Sequence, residues 1–262
     1  MTGTATDTTA AAVPALAGRV VLVAGAHGGL GSAAAQACAR AGATVVLLGR
    51  KLPKLNRLYD GIAKAGGEAV LYPLDLEGAA PDDYAELAER VGNELGRLDG
   101  LLHCAAEFKG LTPLLHTDPA DFARALHVNL TARWWLTQAC LPLLSKAPDA
   151  AVVFAVDDLA LTGRAFWGGY GLAQQSLATL VAMLDAELGP NSPVRVSGFQ
   201  PGPMRTTLRG RAFLADQDQD ARDPGVYAEA CVTLLSPAGA PHRGKVFAAP
   251  VSPLSSPVSR QT

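Results

Sequence analysis

Apolar positions along the chain fall into two alternating patterns. Short unbroken apolar runs, rich in Val, Leu and Ala, are separated by longer stretches whose apolar residues recur every third or fourth position. The first pattern predicts strands covered on both faces, the second amphipathic helices. The predicted strands are RVVLVAGA (19–26), TVVLLG (44–49), EAVLYPLDL (68–76), LDGLLHCAA (98–106), AAVVFAV (150–156), PVRVSGF (193–199) and GKVFAA (244–249). The predicted helices are GSAAAQACARAG (31–42), KLPKLNRLYDGIAKAGG (51–67), PDDYAELAERVGNELG (81–96), a long region over 122–144, and one opening at Tyr170. Pro53 suits a first helical turn, and Asp82 and Asp83 suit the positive end of a helix dipole. Apolar strands joined by helices make a parallel sheet with right-handed crossovers. The expected fold is therefore α/β: a single doubly wound Rossmann-type domain over residues 18–249, with a mainly parallel seven-stranded sheet. The Thr- and Ala-rich lead (1–17) and the Pro- and Ser-rich tail (250–262) are expected to be loose.

The first strand and helix are joined by AGAHGGLG (24–31), which places Gly25, Gly29 and Gly31 between them. Glycines there permit a tight turn and close approach of phosphate oxygens, and the helix start offers free N–H groups and a partial positive charge. In this strand–turn–helix context the turn predicts dinucleotide binding, with His27 and Leu30 inside it. The second strand ends LLGRK, where the adenosine ribose of a dinucleotide is expected. An acidic residue there would bind the 2′-hydroxyl of NAD; Arg50 stands instead, and its guanidinium suits a 2′-phosphate. NADP(H) is favoured over NAD(H).

Composition narrows the field. A formal net charge of −2 carries no basic footprint for a nucleic acid, and no apolar run is long enough for a membrane span. Cys38, Cys104, Cys140 and Cys231 have neither metal-ligand nor redox spacing and do not cluster with histidines. The expectation is a cytoplasmic protein with reduced thiols and no metal.

With these motifs the chain resembles the short-chain dehydrogenases/reductases over about residues 18–248. The glycine turn is similar to that family's T-G-x-x-x-G-x-G, with Ala24 in place of Thr. LDL (74–76) resembles the acidic motif after the third strand, which implies that Asp75, beside Leu76, binds the adenine amino group. HCAA (103–106) stands where the family has N-A-G, so Cys104 replaces Asn, followed by Ala105, and Ala106 replaces Gly. VNLTA (128–132) carries Asn129 at the position of the tetrad asparagine. QPGPMRT (200–206) resembles P-G-x-x-x-T, placing Pro201, Gly202 and Thr206 beside the nicotinamide and pyrophosphate. The resemblance implies a small-molecule carbonyl or alcohol substrate. It also implies a homodimer or homotetramer built on the Trp134 helix and the helix from Tyr170.

The family's catalytic signature is Y-x-x-x-K with a serine upstream. Tyr170 fits, but Gln174 holds the Lys position and Asp157, in FAVDDLALTGRAFWGGY (154–170), the Ser position. Lysine lowers the phenol pKa by its charge, which glutamine cannot supply; an ionised Asp157 would raise that pKa and repel a developing alkoxide. Ordinary ketone–alcohol turnover is therefore expected to be weak or lost. Two alternatives stand beside this. One is an active reductase on an unusual carbonyl, with a protonated Asp157 as donor or sharing a proton with Asp158, or with Lys109 or Arg164 as the replacement cation. The other is a scaffold that binds no nucleotide. Asn129 also suits a structural task at a helix bulge. The segment 204–225 is expected to cover the substrate, and its Arg205, Arg209 and Arg211 suit either an anionic ligand or solvent.

Overall fold

The computed structural model describes residues 14–214 and 218–249. Seven strands form one sheet: β1 (Val20–Ala24), β2 (Thr44–Gly49), β3 (Glu68–Pro73), β4 (Gly100–His103), β5 (Ala150–Ala155), β6 (Val194–Gln200) and β7 (Val246–Ala248). Their order is β3-β2-β1-β4-β5-β6-β7, and every pairing is parallel. The chain therefore winds outward from β1 in one direction, then returns to β4 and winds in the other. That reversal opens a crevice at the carboxyl ends of β1 and β4.

The helices are α1 (Gly29–Arg40), α2 (Leu52–Lys64), α3 (Pro81–Leu95), α4 (Pro119–Leu126), α5 (Ala132–Leu144), α6 (Leu159–Thr162), α7 (Gly168–Leu188) and α8 (Ala228–Leu235). They cover both faces of the sheet, which is why β1, β2, β4 and β5 read as unbroken apolar runs. Val21, Val23, Val45 and Leu47 point to one core with residues of α1, α2 and α8. Leu22, Val46, Leu48, Leu101, Val152 and Phe154 point to the other, with residues of α3, α5 and α7. The alternation along each strand thus feeds two cores rather than a core and solvent.

Several boundaries differ from the sequence reading. The third and fourth strands stop at Pro73 and His103, so Leu74–Leu76 and Cys104–Ala106 are loops, as ligand-facing strand ends commonly are. The helix over 122–144 is interrupted by a π turn at His127–Thr131. Leu16, inside the expected loose lead, is fully buried and its N–H bonds Ala41 O at 2.9 Å, because an apolar side chain beside α1 has a core to enter. The rest of the lead, residues 1–13, and the tail lie outside the described residues. Among the described residues, no helix is long and apolar enough to cross a membrane.

Gly31 fixes how closely α1 can lie on β1. A Cβ there would sit 2.3 Å from Gly25 O. Gly31→Ala is expected to cost about 3 kcal/mol through forced separation of helix and strand, read as a lowered midpoint in urea unfolding.

Candidate active site

A cleft of about 590 Å³ lies across the carboxyl ends of the strands, from the glycine turn to the start of α7. Gly25 lets the two halves of the crevice meet. Its φ is +83°, and a Cβ would strike Ala105 N at 2.4 Å. Gly29 does the same for the loop after β6, since a Cβ would lie 2.7 Å from Thr206 Cγ2. Helix α1 begins at Gly29 after a Gly28 N-cap that makes no side-chain hydrogen bond, and its first turn holds no acid. Its opening therefore presents N–H groups and positive dipole toward the cleft, chemistry that suits a phosphate.

His27 faces the end of β2. Gly49 makes room for it: a Cβ at residue 49 would lie 2.3 Å from His27 Nδ1. That nitrogen is buried without a hydrogen-bond partner. Burial, then the charges of Lys51, Arg50 and Lys54, hold the imidazole pKa below its ordinary value. Four basic side chains therefore converge where a nucleotide's ribose would lie, and Lys54 was not singled out from the sequence. Arg50 is shared among Glu77 Oε2 at 3.3 Å, Glu107 Oε2 at 3.4 Å and Asp75 Oδ1 at 3.6 Å. These are half-exposed contacts that cost little to exchange.

At the other end, β5 delivers Asp157 and α7 delivers Tyr170 and Gln174. The Tyr170 hydroxyl donates to Asp157 Oδ2 at 2.8 Å. Asp157 Oδ1 accepts from the Asp158 N–H at 2.7 Å, and the Asp157 N–H donates to Gln174 Oε1 at 2.9 Å. Both Asp157 oxygens act as acceptors here. Burial, then the charge and hydrogen bond of Asp157, push the Tyr170 phenol well above its ordinary pKa, with Arg133 pulling weakly the other way. Asp158 caps α6, its Oδ1 accepting from the Ala160 and Leu161 N–H groups. Lys109 pairs with Asp121, and Arg164 bonds Ala160 O, so neither replaces the missing lysine.

Of the site residues expected from sequence, all but two line this one cleft: Gly31 and Asn129 do not. Gly31 packs beneath the turn. Asn129 sits in the π turn with its amide fully used, donating to Glu107 O and Ala125 O at 2.7 Å each and accepting from the Glu107 N–H at 3.0 Å. It clamps the loop after β4 to the helix. Cys104 is half-buried in the same loop, and desolvation pushes its thiol up to about 12, away from thiolate chemistry.

Sequence reasoning missed Arg133. Its guanidinium is 1% exposed and donates to Ala155 O at 2.8 Å and to Ala105 O, the carbonyls at the ends of β5 and β4. Burial lowers its pKa to about 10, which leaves it charged. Sequence reasoning also missed the aromatic wall. Phe108 stacks on Trp167 at 5.0 Å and tilts against Tyr170 at 4.9 Å, and Phe213 lies 6.4 Å from Trp167.

Comparison with known proteins agrees with this architecture. The family model for short chain dehydrogenases matches residues 19–217. The chain belongs to the short-chain dehydrogenase family. It is 34% identical over 207 residues to the uncharacterized oxidoreductase YciK of Escherichia coli K12, covering 79% of this chain and 81% of that protein. A solved short chain dehydrogenase from Pseudomonas syringae is 38% identical, with a TM-score of 0.84 over 91% of this chain and 97% of that one. Another, from Escherichia coli CFT073 and complexed with NADPH, is 33% identical, with a TM-score of 0.85 over 90% and 98%.

Proposed function

We propose that this short-chain dehydrogenase relative binds NADP(H), and that its ordinary ketone–alcohol hydride transfer is weak or lost. The observation that carries the second half is the 2.8 Å hydrogen bond from Tyr170 to Asp157. The phenol must surrender or take up a proton during such turnover. Here it is buried, bonded to an anion, and served by Gln174 rather than a cation. Such a phenol is a poor acid–base group near neutral pH. Asp157 also faces the place where negative charge would grow on a carbonyl oxygen, opposite in sign to an oxyanion hole.

The cofactor half rests on the glycine packing, the uncapped start of α1 and the convergence of His27, Arg50, Lys51 and Lys54. The relative solved with NADPH is in accord with it. Gly25, Gly29 and Leu30 would hold the pyrophosphate, Asp75 and Leu76 the adenine, the basic group the 2′-phosphate, and Pro201, Gly202 and Thr206 the nicotinamide end. Bound there, the cofactor supplies hydride. Gln174 would offer its amide nitrogen to the nicotinamide ribose, and Arg133 holds the carbonyls of Ala155 and Ala105 at this end of the cleft.

Calorimetric titration tests the first half. NADPH is expected to bind more tightly than NADH, and Arg50→Ala with Lys54→Ala to weaken NADPH by about tenfold or more while leaving NADH nearly unchanged. No binding at millimolar cofactor would remove the reading. A ketone and alcohol panel followed by NADPH absorbance tests the second half. Rates are expected near background and unaltered in Tyr170→Phe; brisk turnover that depends on Tyr170 would overturn it.

We place the protein in the cytoplasm, in keeping with its four free cysteines, and as a homodimer or homotetramer. Trp134 on α5 and Leu172 and Met183 on α7 are large apolar side chains left exposed. A monomer in light scattering would remove the oligomer.

A further inference from the structure

The substrate end of the cleft carries a carboxylate that, among the described residues, has no cation in ion-pair contact with it. Asp157 lines the cleft, and its oxygens meet only a phenol and a backbone N–H. Among the described residues no Lys, Arg or His forms an ion pair with it. Of the arginines around it, two are paired with carboxylates and two bond backbone carbonyls. Arg209 is paired with Asp218, Arg211 with Glu107, Arg205 bonds Ala221 O, and Arg133 holds two strand-end carbonyls. The lid arginines therefore do not make this an anion site. Beside the carboxylate stands the aromatic wall of Phe108, Trp167, Tyr170 and Phe213. Aromatic faces next to an unpaired carboxylate are the composition that recognises an organic cation.

The same features that spoil ketone reduction suit a hydride acceptor that starts positive. A ketone gains negative charge on oxygen and needs a proton; an iminium loses its positive charge and needs none. For a protonated imine, a neighbouring carboxylate also keeps the proton on nitrogen, which is the electrophilic form.

We propose that this site takes an organic cation with a C=N⁺ bond, an iminium, and reduces it to an amine. The proposal rests on the NADP(H) reading above. The hydride from NADPH forms the new C–H bond at the iminium carbon. The C=N π pair becomes the nitrogen lone pair, and NADPH becomes NADP⁺. Asp157 holds the cation, Tyr170 keeps its proton and orients Asp157, and the aromatic wall covers the flat face of the substrate. The missing lysine is then no defect, because no proton has to be relayed.

The test compares N-methyl-3,4-dihydroisoquinolinium with 1-tetralone, a neutral bicycle of similar size, on the full chain. In calorimetry the cation is expected to bind at least about tenfold more tightly than the ketone, and to lose about tenfold in Asp157→Asn. Asp157→Ser, which removes the carboxyl group altogether, should show the same loss. With NADPH, above the enzyme-free rate, the cation is expected to be reduced with kcat/KM at least about a hundredfold above the ketone, and Asp157→Asn to act mainly on KM. Equal binding of cation and ketone, or tight cation binding indifferent to both Asp157 variants, would overturn the cation site. Cation binding without reduction, in protein that binds NADPH by calorimetry, would overturn the reaction. Failure to bind NADPH would instead remove the nucleotide reading, and the cation titration would still decide the carboxylate's role.

Discussion

Asp157→Ser combined with Gln174→Lys is expected to raise ketone reduction by about 10²–10⁴-fold in kcat/KM. Each change alone does much less. Gln174→Lys by itself puts an ammonium beside a carboxylate, and the pair neutralises itself while Tyr170 stays bonded to Asp157. Asp157→Ser by itself frees the phenol from an anion and supplies a donor for the growing oxyanion, but leaves no cation to lower the phenol pKa. Only together do they give Tyr170 a neighbour that favours phenolate and a hydroxyl that stabilises the alkoxide. The rest of the cleft is already in place. Tyr170 is on a helix whose first turns pack tightly: a Cβ at Gly171 would lie 2.2 Å from Thr162 O. The check is NADPH consumption with a ketone panel, alongside an ultraviolet titration of the phenol. Activity in the double variant no greater than in the parent would mean that something beyond these side chains holds turnover down. The same double change should weaken binding of an iminium, since the carboxylate that would hold it is gone.

The fold was largely legible in the sequence because parallel strands covered on both sides leave unbroken apolar runs, and β1, β2 and β5 stand where those runs are. The glycine turn was legible for a geometric reason: Gly25, Gly29 and Gly31 each face an atom that a Cβ would strike. What escaped has equally physical causes. Helix α8 is short and apolar on most sides, and its three-residue strand neighbour β7 gives little alternation to set it off. The aromatic wall joins residues from the loop after β4, the entry to α7 and the lid, and no spacing along the chain brings these together. Arg133 left one trace that could have been used. It stands inside a helix that is apolar nearly all round, and a helix of that kind is buried, so its arginine has to point into the protein and find carbonyls. Asp158 left another: an aspartate just ahead of a short apolar run is a helix cap before it is a catalytic partner.

Stability is expected to fall as the pH drops below about 6.5, the ordinary histidine value, by up to about 1.4 kcal/mol per unit for the one proton involved. The group responsible is His103, at the end of β4 and fully buried. It stacks on Phe154 at 4.6 Å, and its Nε2 meets Thr137 Oγ1 at 2.9 Å. The Thr137 hydroxyl already donates to Arg133 O, so Nε2 must be the donor in the imidazole pair. That leaves Nδ1 unprotonated, buried and without a partner. A proton there would need a desolvated charge with no acceptor, close to the Arg133 guanidinium. Burial first, then that charge, hold the His103 pKa well below its ordinary value. The unfolded chain binds the proton at about pH 6.5 while the folded one does not. The stability that depends on neutral His103 is therefore complete above that pH and lost as the pH falls toward the folded value. Paired carboxylates such as Asp149, whose pKa its arginine partners hold below the ordinary 3.8, come into play only in stronger acid. His103→Gln keeps an amide donor for Thr137 but takes up no proton. Urea midpoints between pH 7.5 and 5 should slope downward in the parent and flatten in this variant, whereas His27→Gln, removing a less buried imidazole, should keep most of the slope. An equal slope in parent and His103→Gln would place the acid sensitivity elsewhere.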